Sequence, residues 1–353
     1  MSKPKKGVLL VNLGTPDSPS VPDVKRYLTE FLLDGRVIDI PAWRRSLLVR
    51  GVIVPFRAPK SAKLYRAIWD DNTGSPLLHY SVRQQQLLQE RLSGEYHVEL
   101  AMRYQNPSIS RALARLKSMN LDSIRVIPLF PQYASASTGS VIDKVMELMR
   151  TWHTFPGVSF VNDFYENDLM IEVFAENALK HHPETYDHIL FSYHGLPVRQ
   201  LNDVEVSGTH DCEKAGCRQQ IAEHNRYCYL AQCHATTRLL AKRLGLKETD
   251  YTVCFQSRLG KTPWVQPYTS DVLKDVAAKG KKRLLVFCPA FVSDCLETVY
   301  EVGTEYALEF KELGGEKVQL VESLNDHPKW ITALEQLVYR DLPEWLQKDK
   351  LTV

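Results

Sequence analysis

Asp187 to Pro197 reads D-H-I-L-F-S-Y-H-G-L-P, and the fold is decided there. Ile189, Leu190 and Phe191 form a short apolar run of the kind that makes a fully buried parallel strand. Ser192, Tyr193 and His194 follow where that strand emerges, and Gly195 with Pro197 breaks the chain. Ligands of open α/β sheets sit beyond the carboxyl ends of the strands. A histidine delivered there suits proton transfer or metal binding. It equally suits the capping of a turn, and the stretch alone leaves both readings open.

Working outward, the same strand–loop–helix order recurs. Gly7–Gly14 reads as a strand that leads to a helix over 21–33, and His97–Tyr104 follows a helix over 81–92. A helix over 109–119 leads to the strand Ser123–Phe130. Gly157–Val161, Tyr251–Ser257 and Arg283–Pro289 complete the set. This order predicts two Rossmann-like, doubly wound α/β domains whose parallel sheets face a central cleft. The expected division is 1–160 for the first domain and 161–327 for the second. An insertion at 207–234 falls inside the second, and 328–353 is a terminal helix packing back on both. Only Gly14 of a G-x-G-x-x-G fingerprint is present, so nucleotide binding has no support.

At 353 residues, two domains are the natural expectation, and 44% hydrophobic with 24% charged residues is a globular composition. A net charge of +2 gives no reason to expect nucleic acid. No run reaches the ~18 apolar residues of a membrane span. The start M-S-K-P-K-K lacks the pattern of a leader peptide, so a cytosolic protein is expected. In that compartment the seven cysteines suggest metal binding or buried thiols before disulfides.

Three constellations carry chemistry. In F-V-S-D-C-L-E-T-V-Y-E-V-G-T-E-Y (291–306), Glu297, Glu301 and Glu305 stand four residues apart, stacking three carboxylates on one helix face beside Asp294 and Cys295. The helix starts just past a strand end, so its first turn should face the cleft and perturb Glu297. In C-F-Q-S-R-L-G-K-T-P-W (254–264), Gln256, Ser257 and Arg258 leave a strand and Trp264 is placed to stack on a flat ligand. Cys212, Cys217, Cys228 and Cys233, in the pattern C-x4-C-x10-C-x4-C, suit a structural zinc or a [2Fe–2S] cluster. His210, His224 and His234 are reserve ligands.

Other stretches give weaker signals. Arg57, Lys60, Tyr65 and Arg66 mix basic and aromatic character suited to a flat anion, and P-Q-Y-A-S-A-S-T-G-S (131–140) offers hydroxyls and amides. Arg36 to Phe56 interleaves Trp43, Leu47, Leu48, Val52 and Phe56 with arginines. It is read as a helix packing its apolar side on its own core, with an interfacial membrane segment as the other reading.

Taken together, F-S-Y-H-G-L-P, S-D-C-L-E-T-V-Y-E and F-Q-S-R-L-G-K-T-P-W resemble the ferrochelatase family. V-N-L-G-T-P, R-A-P-K-S-A-K-L-Y and F-P-Q-Y-A-S-A-S-T-G-S fit as well, so the likeness spans nearly the whole chain in order. The resemblance implies a lyase with a porphyrin cleft that inserts Fe2+ into protoporphyrin IX. It implies His194 and Glu297 as the catalytic pair and as contacts of the substrate metal, Glu301 continuing the acidic row, and a π-helical distortion there. Tyr65, Arg103, Tyr133 and Trp264 become substrate-pocket residues and Arg57 a partner for a propionate. Many members of the family carry histidine where this chain has Cys295, which puts in doubt only an imidazole at that position. Bacterial relatives with an internal cysteine insertion make [2Fe–2S] the favoured occupant of the four cysteines, with zinc the alternative. The resemblance also leaves room for peripheral membrane contact and for an encounter with the preceding enzyme of the haem pathway. Iron insertion into coproporphyrin III, cobalt insertion and a non-catalytic haem or metal carrier are the competing functions.

Overall fold

The computed structural model describes residues 5–202, 210–258, 260 and 262–340. Residues 207–209 of the expected insertion and 341–353 of the expected terminal segment lie outside the described residues. Two four-stranded parallel sheets form the framework. The first holds β1 (Lys6–Gly14), β2 (Tyr96–Tyr104), β3 (Ser123–Pro128) and β4 (Gly157–Phe160) in the order β2-β1-β3-β4. The second holds β5 (His188–His194), β6 (Tyr251–Gln256), β7 (Arg283–Phe287) and β8 (Lys317–Leu320) in the order β6-β5-β7-β8. The two halves therefore repeat one topology, although their sequences show no obvious repeat.

The apolar run 189–191 behaves as its composition dictates. Leu190 and Phe191 are wholly buried, with Ile189 paired to Leu285 and Phe191 to Phe287 across the sheet. Phe191 and Phe287 also stack, their centroids 4.9 Å apart. One contiguous apolar core joins the halves, uniting Val8 and Leu10 of β1 with Phe191 of β5, Phe164 and Trp330. The helix Pro328–Tyr339 belongs to that core and is fastened to the first sheet by Arg125, whose Nε donates to the Leu337 carbonyl at 3.3 Å.

In each half the chain leaves the first strand, adds the second on one side, then crosses to the other side for the third. The reversals lie between β1 and β3 and between β5 and β7, and crevices beyond such points are where α/β sheets bind ligands. After the third strand of each half the winding is π-helical: Ser135–Gly139 follows β3 and Leu296–Tyr306 follows β7. A third π-wound segment, Val49–Ile53, links the helices Ala42–Leu48 and Val54–Ile68. π-wound backbone recurs at functional sites.

The region 36–56 departs from expectation. Val49 and Val54 are buried, but Trp43, Leu47, Val52 and Phe56 are exposed, and Ala42–Leu48 buries no residue at all. The segment packs on the core through Val49, Val54 and partly buried Val37, Ile38 and Ile53, and leaves its other large apolar side chains outside. No helix among the described residues is long and apolar enough to cross a membrane.

Candidate active site

A cavity of about 700 Å³ opens at the carboxyl ends of both sheets. Its wall takes Asn12 to Thr15 from the exit of β1, His194 to Pro197 from the exit of β5, and Ser257 with Arg258 from the exit of β6. Ala290 to Ser293 and the π-wound segment after β7 close one side, and Arg57 and Tyr65 of Val54–Ile68 close another. The volume lies within the usual range of sites for organic ligands and cofactors.

Two glycines make the strand exits possible. Gly14 has φ +120°, and a Cβ there would meet the Tyr104 carbonyl oxygen at 2.1 Å. At Gly195 a Cβ would stand 2.9 Å from the Gln256 carbonyl oxygen and 3.2 Å from the Trp264 ring. The Gly195 amide is thereby free to donate to Gln256 at 2.8 Å, which holds β5 beside β6 at the point where His194 emerges.

His194 is half-buried on the cavity wall, with Nδ1 2.7 Å from the Gly195 carbonyl oxygen. A carbonyl oxygen only accepts, so Nδ1 is the donor, and in the neutral ring this leaves the lone pair on Nε2. The ring is therefore held in the tautomer of a base. Its main-chain carbonyl accepts from the Tyr229 hydroxyl at 2.9 Å, so a second element steadies the same residue.

The acidic row lines the same cavity. Glu297, Glu301 and Glu305 all line the cavity, so the carboxylates share a face although the segment is π-wound throughout Leu296–Tyr306. Glu301 is anchored: its carboxylate accepts from the Ser257 amide at 2.9 Å, the Ser257 hydroxyl at 2.5 Å, the Tyr306 hydroxyl at 2.9 Å and Gln256 Nε2 at 3.3 Å. Glu297 is surrounded by protonated groups. Burial first, and the charge of Glu297 next, pushes up the hydroxyl of Tyr27 and the thiol of Cys295; Tyr65 is raised by burial, by Tyr27 and by Glu297. Glu305, at the outer end, has its carboxyl raised by partial desolvation and by Glu301. The arrangement offers a fixed carboxylate between an inner one facing neutral donors and an outer one inclined to hold a proton.

The expected pocket residues divide. Tyr65, Arg57 and Trp264 line the cavity with His194 and the glutamates. Arg103 and Tyr133 do not. Arg103 turns away to Asp34, with Nη2 2.5 Å from Oδ2, and donates through Nε to the Ser140 hydroxyl at 2.6 Å. Tyr133 lines a neighbouring recess of about 500 Å³ beside Arg36, Asp39 and Tyr227. A basic residue at a strand end looks alike in sequence whether it meets a ligand or a buried aspartate. Sequence reasoning also missed Tyr27, Phe31, Ile38, Gln200, Tyr229 and Tyr300 of the wall. Aromatic residues one helical turn apart, Tyr27 and Phe31, were the available signal.

In the insertion, Cys212, Cys217 and Cys228 converge, and their fourth neighbour is His210, with all four ligand atoms within 4.8 Å of one another. Cys233 does not join them. It is wholly buried within the helix Tyr229–Leu244, and burial pushes its thiol up against the opposing effect of a hydrogen bond with Tyr229. A [2Fe–2S] cluster held by all four cysteines does not fit this donor set. Such a cluster sets two thiolates on each iron with its core between the pairs, whereas three sulfurs here surround a single point.

Parallel halves with a histidine at one strand end and carboxylates beyond another define an α/β protein of the chelatase class. The fold is shared with SirB of Bacillus subtilis, solved with Fe3+, at a TM-score of 0.50 and 10% identity over 95% of this chain and 94% of that one. The ferrochelatase family model matches residues 5–342. A ferrochelatase of Legionella pneumophila is 45% identical over 334 residues, covering 95% of this chain and 98% of its own length. One from Coxiella burnetii is 43% identical over 347 residues, 96% of this chain and 94% of its own length. The chain belongs to the ferrochelatase family.

Proposed function

We infer that this chain is a lyase of haem synthesis that inserts Fe2+ into protoporphyrin IX. The observation that carries the reading is the meeting of His194 and the row Glu297–Glu301–Glu305 in one cavity, in a chain of this family. The reaction exchanges two pyrrole protons for one ferrous ion, so the site must accept protons and strip water from the metal. Nε2 of His194, which keeps its lone pair, takes a pyrrole proton. Glu297 meets the metal or the second proton, and Glu301 and Glu305 pass the proton outward. A flat macrocycle hides its nitrogen lone pairs in the ring plane, so contacts along the aromatic wall of Tyr27, Tyr65 and Trp264 supply the binding energy that bends it.

Arg57 and Arg258 support recognition of a dicarboxylate porphyrin. Both line the cavity and neither has an ion pair among the described residues. The reading extends to the cytoplasm, supported by seven cysteines free of disulfides. It extends also to peripheral membrane contact, supported by exposed Trp43, Leu47 and Val52 on the segments leading into Val54–Ile68 and by exposed Phe56 in that helix, which also carries Arg57. An encounter with the preceding pathway enzyme would use the same face.

Steady-state assays with Fe2+ and protoporphyrin IX test the reading, with coproporphyrin III and Co2+ as parallel arms. Preference for protoporphyrin IX with iron supports it. Faster turnover of coproporphyrin III or of cobalt transfers the assignment to that substrate, and porphyrin binding without a single turnover leaves a carrier.

A further inference from the structure

We propose that His210, Cys212, Cys217 and Cys228 form a mononuclear structural Zn2+ site, in which Cys233 takes no part. It stands apart from the porphyrin chemistry, so either conclusion can fail without the other.

The geometry is that of ligands around one ion. Cys212 Sγ lies 3.5 Å from Cys228 Sγ, and Cys217 Sγ lies 3.3 Å from His210 Nε2. A tetrahedral zinc with bonds of about 2.3 Å to sulfur and about 2.0 Å to nitrogen sets its ligand atoms roughly 3.5–3.8 Å apart. His210, Cys217 and Cys228 are buried, so their donor atoms are gathered together out of water. Three thiolates with one imidazole are a donor set that selects zinc over the hard cations.

The surroundings support a charged sulfur cluster. Asn225, 1% exposed, points Nδ2 at Cys217 Sγ across 3.7 Å while also donating to the Gln220 carbonyl at 3.0 Å. Outer contacts of this kind orient metal ligands. Cys228 occupies the N-cap position of Tyr229–Leu244, which fixes it at the start of that helix. Cys233 lies five residues further along that helix, about 140° around its axis from Cys228, which turns it into the core.

The ion would staple a segment poor in regular structure to the start of that helix. From the same helix Tyr229 reaches the His194 carbonyl at 2.9 Å, and Gln232 accepts from the Tyr133 amide at 2.6 Å. The ion is thus a support for the wall behind His194 and takes no chemical step.

The test uses the full-length protein, produced with both zinc and iron supplied and purified without oxygen. Metal analysis should find about one zinc per chain and a colourless protein, and zinc X-ray absorption should show a shell of three sulfurs and one nitrogen. The C233A variant should keep its zinc. H210A should release zinc to a chromogenic chelator at least about tenfold more readily. If C212S fails to fold, Co2+ exchanged into the wild-type protein should give the visible and thiolate charge-transfer bands of a tetrahedral site. About two irons per chain with cluster bands would overturn the proposal, as would loss of metal in C233A, unchanged retention in H210A, or a protein that holds no metal at all.

Discussion

The hydroxyl of Tyr229 donates to the main-chain carbonyl of His194 at 2.9 Å, joining the helix behind the insertion to the strand end that carries the proposed base. The bond acts on the backbone rather than on the ring, so it fixes where the imidazole starts and leaves Nε2 untouched. Replacing Tyr229 by phenylalanine removes one buried hydrogen bond, worth about 1 kcal/mol. The expected result is a loss of up to about fivefold in kcat with a small fall in Tm. Steady-state kinetics beside a thermal melt would check it; an unchanged kcat would show that strand pairing alone positions His194.

His194 and Glu297 should fail differently from a binding residue. His194→Ala removes the group that accepts a pyrrole proton, and general-base groups contribute about 10²- to 10⁴-fold. Turnover should fall by that order while fluorescence titration still reports porphyrin binding. Glu297→Gln keeps the shape beside Tyr27 and Tyr65 but removes the charge that both hydroxyls sense. It should also depress kcat with porphyrin affinity kept. Near-normal kcat in either variant would remove that residue from the mechanism.

Glu301 and Glu305 give the row a direction that a pH profile can read. Four donor contacts anchor Glu301 in place, while desolvation and then Glu301 raise the carboxyl of Glu305. A raised carboxyl is deprotonated, and ready to accept, only above its raised pKa. Turnover should therefore decline as pH falls through a point above the ordinary carboxylate range near pH 4.3. In Glu305→Gln that acid limb should shift or vanish and kcat should drop at neutral pH. An acid limb identical to wild type would mean that protons leave by another path.

Much of this was legible in the chain. The run Ile189–Phe191 and its fellows specify parallel buried strands, because only sheets covered on both faces tolerate unbroken apolar runs. Strand ends then bring His194 and Glu297 to one crevice. The misreadings share a cause: they depend on partners distant in sequence. Nothing near Arg103 announces that Asp34, the residue capping the helix Val21–Leu33, will take its guanidinium. Regular thiol spacing put Cys233 with the other three cysteines, whereas its place inside a helix sends it to the core and His210 lies beside the three instead. The apolar residues of 36–56 fit a core-packed helix by composition, and only the fold shows Trp43, Leu47 and Phe56 left outside.

The Asp34–Arg103 pair predicts a stability effect that is separate from catalysis. Asp34 accepts from the Ser140 hydroxyl at 2.5 Å, Tyr104 at 2.9 Å and the Arg36 amide at 2.8 Å, besides Arg103. Burial alone would raise its carboxyl, but the Ser140 and Arg36 hydrogen bonds and the Arg103 charge outweigh it and hold the group below its usual range. A carboxyl depressed by folding contributes stability above its unfolded pKa, near pH 4, and loses it as pH falls toward the folded value. Asp34→Asn leaves a buried guanidinium without its counter-charge, which costs on the order of 3 kcal/mol. The variant should unfold at lower denaturant near pH 7, and its stability should fall less steeply than wild type below pH 4. Because Phe31 and Leu32 just before Asp34 line the cavity, porphyrin affinity should weaken modestly as the helix end loosens. Denaturant titrations at several pH values measure both effects, and equal midpoints for the two proteins at pH 7 would show that the pair adds no net stability.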